Sequence, residues 1–419
     1  MTRPHGATSL FSLTLGFLNV PVILFFATLA GARAADWPQF RGPTGQGIAA
    51  DTQPPLTWSE SENVTWKVAV PGQGWSSPVV QGNQIWLTTA TDAGRSLRAV
   101  ALDFASGRIL HDIEVFRDNR PPAIQPKNSH ASPTPVLEEG RVYVHFGTRG
   151  TAALTTSGEI VWKNSDLKYE HGHGSGGSPV LSGDLLVISC DGIDRQYVVA
   201  LDKNSGKIRW RTDRQGTAMA YTTPLVIEVQ GRKQVVSPAG FKAFSYDVET
   251  GNELWSFNYG QTFSNVVRPV FGHGLIYITS AFYSPVLYAI RPGGEGDVTR
   301  SHTVWSYQRG VPLTPSPVLA GDEIYFVSDN GIVTCLDAET GREVWRGRLE
   351  GEYSASPVLA GGHIYFQNET GGTTVIQPGT SFRKLAENQI DGATLASMAV
   401  VGKVILLRSG SHLYRIEEQ

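Results

Sequence analysis

Four side chains with acid–base chemistry stand at positions that do not repeat along the chain: His130, the pair His171-x-His173, and Tyr221. A histidine titrates near neutrality and can take a proton, with a tyrosine as the partner acid, as in sugar eliminations. His171 and His173 would share a face of an extended strand and could hold a metal, with His130 as a third ligand. No Glu stands at helical spacing from them, so the reading assigns no metal. Asp191-Gly-Ile-Asp194 offers oxygen ligands for calcium, but Asp-Gly is also a common turn signal. Arg149 and Arg268 suit a carboxylate or sulfate, and Asn128 and Tyr353 add neutral polar groups. Gly172, Gly174, Gly176 and Gly177 are not a phosphate loop, because no Lys-Ser/Thr and no helix follows. There is no Ser-His-Asp signature and no nucleotide fingerprint.

These residues sit in a chain that repeats itself. A Pro-containing step recurs at Ser77-Pro78-Val79, Thr134-Pro135-Val136, Ser178-Pro179-Val180, Thr223-Pro224-Leu225, Arg268-Pro269-Val270, Ser316-Pro317-Val318 and Ser356-Pro357-Val358. The Pro-to-Pro spacings are 57, 44, 45, 45, 48 and 40 residues. An alternating apolar strand follows most of them, as in Arg141-Val142-Tyr143-Val144 and Glu323-Ile324-Tyr325-Phe326. Then comes a more specific pattern: Asp202, Gly206, Trp210; Asp247, Gly251, Trp255; and Asp337, Gly341, Trp345. Asp bonds its own turn backbone, Gly supplies positive φ, and the Trp is a broad apolar wedge. His111 replaces the Trp that should follow Asp103 and Gly107.

Four-stranded units at this period are β-propeller blades. Seven full units begin near Ser76, Ser132, Gly177, Thr222, Val267, Pro315 and Ala355. An eighth, from about Leu395, lacks a fourth strand, while Asn63–Val68 is a spare one near the other end. The expected fold is therefore an all-β, eight-bladed propeller of antiparallel four-stranded blades, its ring closed by an N-terminal strand that hides both edges. Seven blades is the alternative. With strands A to D numbered outward from the axis, the B–C loops and the D-to-A connections share one face. Asn128, His130, Arg149, His171, His173, Asp191, Asp194, Tyr221, Arg268 and Tyr353 all fall on such segments, which predicts one polar mouth around the axis.

The rest of the composition narrows the setting. Among 419 residues the net charge is -3, which does not suggest a nucleic-acid binder. Residues 1–34 read as a signal peptide, with an apolar run from Leu10 to Leu29 and cleavage after Ala34. No cysteine lies near that point for lipid attachment, and no later stretch is apolar enough to span a membrane. The expectation is a monomer in the periplasm or secreted. Residues 35–62 read as an irregular strap on the propeller surface, and 63–419 as the propeller. Cys190 and Cys335, the only cysteines, read as buried free thiols.

The Asp-x-x-x-Gly-x-x-x-Trp blades resemble the pyrroloquinoline-quinone (PQQ) repeat superfamily over residues 63–416. The opening Asp36-Trp37-Pro38-Gln39-Phe40-Arg41-Gly42 and the run from Ser189-Cys190-Asp191-Gly192 to Trp210 resemble its secreted bacterial members. That superfamily includes eight-bladed quinoprotein dehydrogenases and the BamB assembly lipoprotein, a non-catalytic binder. The resemblance implies architecture more firmly than function. The dehydrogenases carry a vicinal Cys-Cys disulfide and a calcium-held quinone, features this chain does not match. The leading expectation is a binding or scaffold module for a polysaccharide, an envelope protein or a small polar ligand, with no cofactor. The alternatives are a PQQ- and calcium-dependent oxidoreductase, and a lyase using His130, His171 or His173 with Tyr221 and an arginine.

Overall fold

The computed structural model describes Met1 and residues 36–260, 262–280 and 282–418. The expected signal peptide lies outside the described residues, Met1 apart. Eight antiparallel sheets stand in a ring, each with four strands from axis to rim. The first blade is Val79–Gln81, Gln84–Thr91, Ser96–Asp103 and Ile109–Arg117. Blades two to seven span residues 136–164, 180–213, 225–258, 270–307, 318–348 and 358–389. The eighth has Ala399–Val401, Val404–Arg408 and His412–Ile416 from the C-terminal end, and Val64–Ala69 as its outer strand. Val64 pairs with Ile416 and Ala69 with His412, so the ring is closed as the spare strand predicted, and eight blades replace the seven-blade alternative.

The middle strands are buried on both faces, because each sheet lies between two others. Leu185–Asp191 is apolar nearly throughout for this reason, whereas the outer strand Val64–Ala69 alternates half-buried and exposed. The apolar core is thus a set of slabs between neighbouring blades. One slab joins Trp86 and Ala99 of the first blade to Val142 and Leu154 of the second.

The repeated Trp is a clasp between blades. Trp162, Trp210 and Trp305 each donate their indole N–H to the C–D turn of the next blade, at Lys203 O (2.9 Å), Val248 O (3.0 Å) and Ala338 O (3.0 Å). Each indole lies flat on that turn's glycine: a Cβ at Gly206, Gly251 or Gly341 would come within 2.4 to 2.5 Å of it. The turn aspartates fix the same loops, with Asp202 and Asp337 each accepting a backbone N–H from three residues on, both at 2.9 Å. In the first blade His111 takes the wedge position and packs near Gly158 of the second. The fifth blade departs from the pattern. Its third and fourth strands are joined by a longer excursion whose Gly296–Asp297 pairs in parallel with the rim of the fourth blade. Trp255 there turns its N–H to Gln234 instead.

The N-terminal segment differs from its expected surface position. Residues 36–49 enter the axial channel. Trp37 exchanges backbone hydrogen bonds of 2.9 and 2.8 Å with Val80, Pro38 O accepts from Leu137 N (2.7 Å), and Ile48–Ala49 pairs in parallel with the innermost strand Val358–Ala360. Trp37 and Arg41 are 1% exposed. The chain then leaves along blade seven, where Trp58 N donates to Asn388 Oδ1 (2.7 Å), and reaches the rim strand of blade eight. Eight three- to five-residue inner strands enclose a central channel that their own side chains do not fill. A Gly- and Trp-containing segment fills one end of it.

Candidate functional site

With one end of the axis plugged, the other end opens on the B–C and D–A face as a mouth of about 410 Å³. Its wall is the residue before the recurrent proline. Ser77 N donates to Thr134 Oγ1, Thr134 N to Ser178 Oγ and Ser178 N to Thr223 Oγ1, at 2.9 to 3.0 Å. Arg268 N donates to Ser316 Oγ, Ser316 N to Ser356 Oγ and Ser356 N to Ser397 Oγ, also at 2.9 to 3.0 Å. Six of the eight blades thereby hand a backbone N–H to a hydroxyl of the next. Arg268 breaks the series because it has no hydroxyl. Phe40 of the plug forms the floor, and Trp75, Tyr221 and Phe282 are aromatic walls. Beyond Phe282 the aromatic surface continues outward: Phe263 lies 5.4 Å from Tyr283, which is 79% exposed.

Of the ten residues expected in one mouth, three line it. Tyr221 and His173 pack at 5.7 Å between ring centres. Asn128 donates to His173 O (2.9 Å) and Ser175 O (3.2 Å), tying two D–A connections together. Beside Asn128, Lys127 makes ion pairs with Glu352 (2.9 Å) and Glu369 (3.0 Å), so the connection into blade two is held to blade seven.

His130, Arg149 and His171 meet in a second, very small cleft of about 20 Å³, together with Asp118. Arg149 pairs with Asp118 at 2.7 Å. His171 Nε2 accepts the Thr148 N–H at 3.0 Å, which commits that nitrogen as an acceptor. Burial and the adjacent Arg149 depress both histidines, His171 to about 4. Behind them His145, which sequence reasoning missed, is fully buried against Thr151 and is pushed down to about 3 by desolvation. His130 and His171 are therefore apart from Tyr221, and only His173 stands beside it.

The remaining expectations resolve as framework. Asp191 is not at the mouth: it is buried in an ion pair with Arg214 at 2.5 Å, and Arg214 also reaches Tyr246 and Ser237. Asp194 lies on a surface loop, accepting Glu170 N (2.7 Å) and pairing with Arg195. Tyr353 is buried and donates to Glu350 O. Arg268 points along the axis to Phe40 O (2.7 Å). Six of the ring hydroxyls were visible in the sequence as Ser/Thr before Pro, but there they served only to mark the repeat.

The family described as outer membrane protein assembly factor BamB matches residues 48–165, 151–310 and 297–416. The chain belongs to this family. Among curated relatives, the outer membrane protein assembly factor BamB of Bordetella pertussis is 27% identical over 200 residues, 45% of this chain and 47% of that protein. That of Shewanella oneidensis is 21% identical over 231 residues, 51% and 55% of the two chains. This chain spans about half the length of the curated relatives it matches. Among solved structures, BamB from Moraxella catarrhalis is similar with a TM-score of 0.60 at 14% identity, covering 84% of this chain and 99% of that one. A europium-containing methanol dehydrogenase is similar at 0.54 and 12% identity, covering 90% of each. At such identities the likeness concerns the fold alone.

Within this BamB-family chain, Cys190 and Cys335 are buried free thiols in different blades, as expected. Cys335 faces Trp345 across the sheet, where a small residue makes room for the indole. Among the described residues no group of three His, Cys, Asp or Glu is placed to hold a metal ion. No helix among them is long and apolar enough to cross a membrane.

Proposed function

We propose that this BamB-family propeller acts in the cell envelope as a scaffold in outer-membrane protein assembly, and that its mouth takes an extended polypeptide segment of an envelope protein. The carrying observation is the lining: a ring of hydroxyls already engaged with backbone, bounded by Phe40, Trp75, Tyr221 and Phe282 and continued by exposed Tyr283. Aromatic faces supply apolar contact and the polar ring accepts a main chain without demanding one side chain, which suits a variable protein ligand. The separation of His130 and His171 from Tyr221 favours binding over an acid–base set. A periplasmic location follows from this reading and from the expected signal segment.

The test is fluorescence anisotropy with labelled peptides copied from strands of outer-membrane β-barrel proteins. Saturable binding that falls about tenfold or more in Phe282→Ala/Tyr283→Ala, with an unchanged circular dichroism spectrum, supports the reading; removing two aromatic anchors at a small interface costs on that order. Equal affinity in the double variant, or binding of acidic polysaccharide in place of every peptide, overturns it.

A further inference from the structure

Among the described residues four arginines are almost wholly buried, and they are treated in three different ways. Arg214 has its own carboxylate, Asp191, at 2.5 Å. Arg408 spends its charge on Ser76 O (3.0 Å), Ser76 Oγ (2.7 Å) and Thr88 O (3.0 Å), stitching blade eight to blade one. Arg41 and Arg268 also lack a carboxylate and, unlike Arg408, leave buried N–H groups without a partner among the described residues. Arg41 donates through Nη2 to Gln46 O (2.7 Å) and Pro317 O (2.6 Å), while its buried Nε and Nη1 have no partner. Arg268 donates through Nη1 to Phe40 O, while its buried Nε has none. Among the described residues no carboxylate lies in ion-pair range of either. The two guanidiniums repel each other, and burial pushes each down to about 9, so both are cationic at neutral pH. Two buried cations with no carboxylate in range and with orphan N–H groups are strongly unfavourable.

Both arginines face one loop of the plug. A Cβ at Gly45 would fall 2.5 Å from the Arg268 guanidinium, and one at Gly47 would fall 2.6 Å from Arg41 Nη2. Both glycines have positive φ, so the loop is shaped to let the guanidiniums lie against bare backbone. Beside it a cleft of about 370 Å³ opens on the plugged face, between the plug and the inner strands of blades three to five. Arg268, 2% exposed, lines this cleft with Gln39, Thr44 and Gln46; the one carboxylate on its wall is Glu228, which is solvent-exposed.

We propose that this cleft binds a small inorganic anion, an oxyanion of the phosphate or sulfate type or a halide, held by Arg268 with Arg41 behind it. The anion supplies the counter-charge the chain lacks and locks the N-terminal segment into the axis. The site is on the opposite face from the mouth and does not depend on the function proposed for that mouth.

The experiment follows thermal unfolding of the full chain in increasing sodium phosphate and, separately, sodium bromide, with Arg268→Gln and the surface control Arg108→Gln in parallel. Stabilisation of the intact chain and of Arg108→Gln should saturate, reaching about 2 °C or more at ten times the dissociation constant. It should vanish in Arg268→Gln, which subtracts the general salting effect. The phosphate and bromide arms separate an oxyanion from a halide. If Arg268→Gln does not fold, Arg268→Lys serves, with a saturation midpoint raised several-fold, because a point charge replaces the planar fork. Crystals of the intact protein grown with bromide should show an anomalous peak in the cleft if a halide is bound, or phosphate density there if an oxyanion is. Unsaturable stabilisation, equal stabilisation in the Arg268 variants, or an empty cleft at saturating levels of both anions overturns the proposal.

Discussion

The clasp between blades makes a quantitative prediction because the fold supplies its own control. Gly341 and Gly274 have nearly the same backbone, φ +71° and +69°. A Cβ at Gly274 meets nothing within 4 Å, whereas one at Gly341 falls 2.5 Å from Trp305 Cδ2. Gly274→Ala therefore measures the left-handed conformation alone, about 1–2 kcal/mol. Gly341→Ala carries the same penalty plus the overpacking of a buried indole against a turn, about 1–3 kcal/mol more. Trp305→Ala, which removes a side chain 8% exposed and its bond to Ala338 O, should cost about 3–5 kcal/mol. In the double variant the clash has no partner, so its cost should fall below the sum of the singles by about 1–3 kcal/mol. Urea denaturation followed by circular dichroism reads all four. Equal midpoints for Gly274→Ala and Gly341→Ala, or strict additivity of Gly341→Ala with Trp305→Ala, would refute the clasp as the element that joins blades.

Three further outcomes follow from the same packing. Trp37→Ala should lower stability by about 3–5 kcal/mol in urea unfolding, because the indole is 1% exposed within the plug; a surface strap would lose almost nothing. Asp191→Leu should cost about 3–5 kcal/mol by leaving Arg214 charged and unpaired, and Asp191→Leu/Arg214→Met should recover much of it; a double variant worse than the single would contradict this. The share of stability that rests on two buried histidines should also fall as the pH drops from about 6.5 toward 4. His171 and His145 are depressed to about 4 and about 3, so the unfolded chain takes protons first; their contribution is complete above pH 6.5 and is withdrawn below it. His171→Gln should flatten that slope by up to about 1.4 kcal/mol per pH unit, and coincident slopes in urea titrations at pH 7, 6 and 5 would exclude the assignment.

Site residues were harder to read than the frame, and the reason lies in how each was inferred. Placing Asn128, His173 and Tyr221 at the mouth needed only the rule that D–A connections share one face. Asp191 sits at the end of a strand on the same face, yet it points between blades, where Arg214 from the following connection meets it. His130 and His171 lie on the right segments but turn sideways into the seam beside Arg149. Side-chain direction at a loop depends on what the neighbouring blade presents, and that is not periodic.

Residue order by itself determined the blade number and the Trp wedge, because both rest on a pattern about one period long that recurs along the chain, and it pointed to the closing strand because the last repeat lacks a fourth strand while Asn63–Val68 is a spare one. A local pattern that recurs from blade to blade is one that a single chain reveals. The tertiary structure decided the rest: the plug in the axis, the bridge from Lys127 to Glu352, and Arg41 reaching Pro317 O. These contacts span the ring, between residues 225 and 276 apart, and occur once. Only closure of the ring brings such partners together, and the closed ring leaves an axial space that the N-terminal segment then fills.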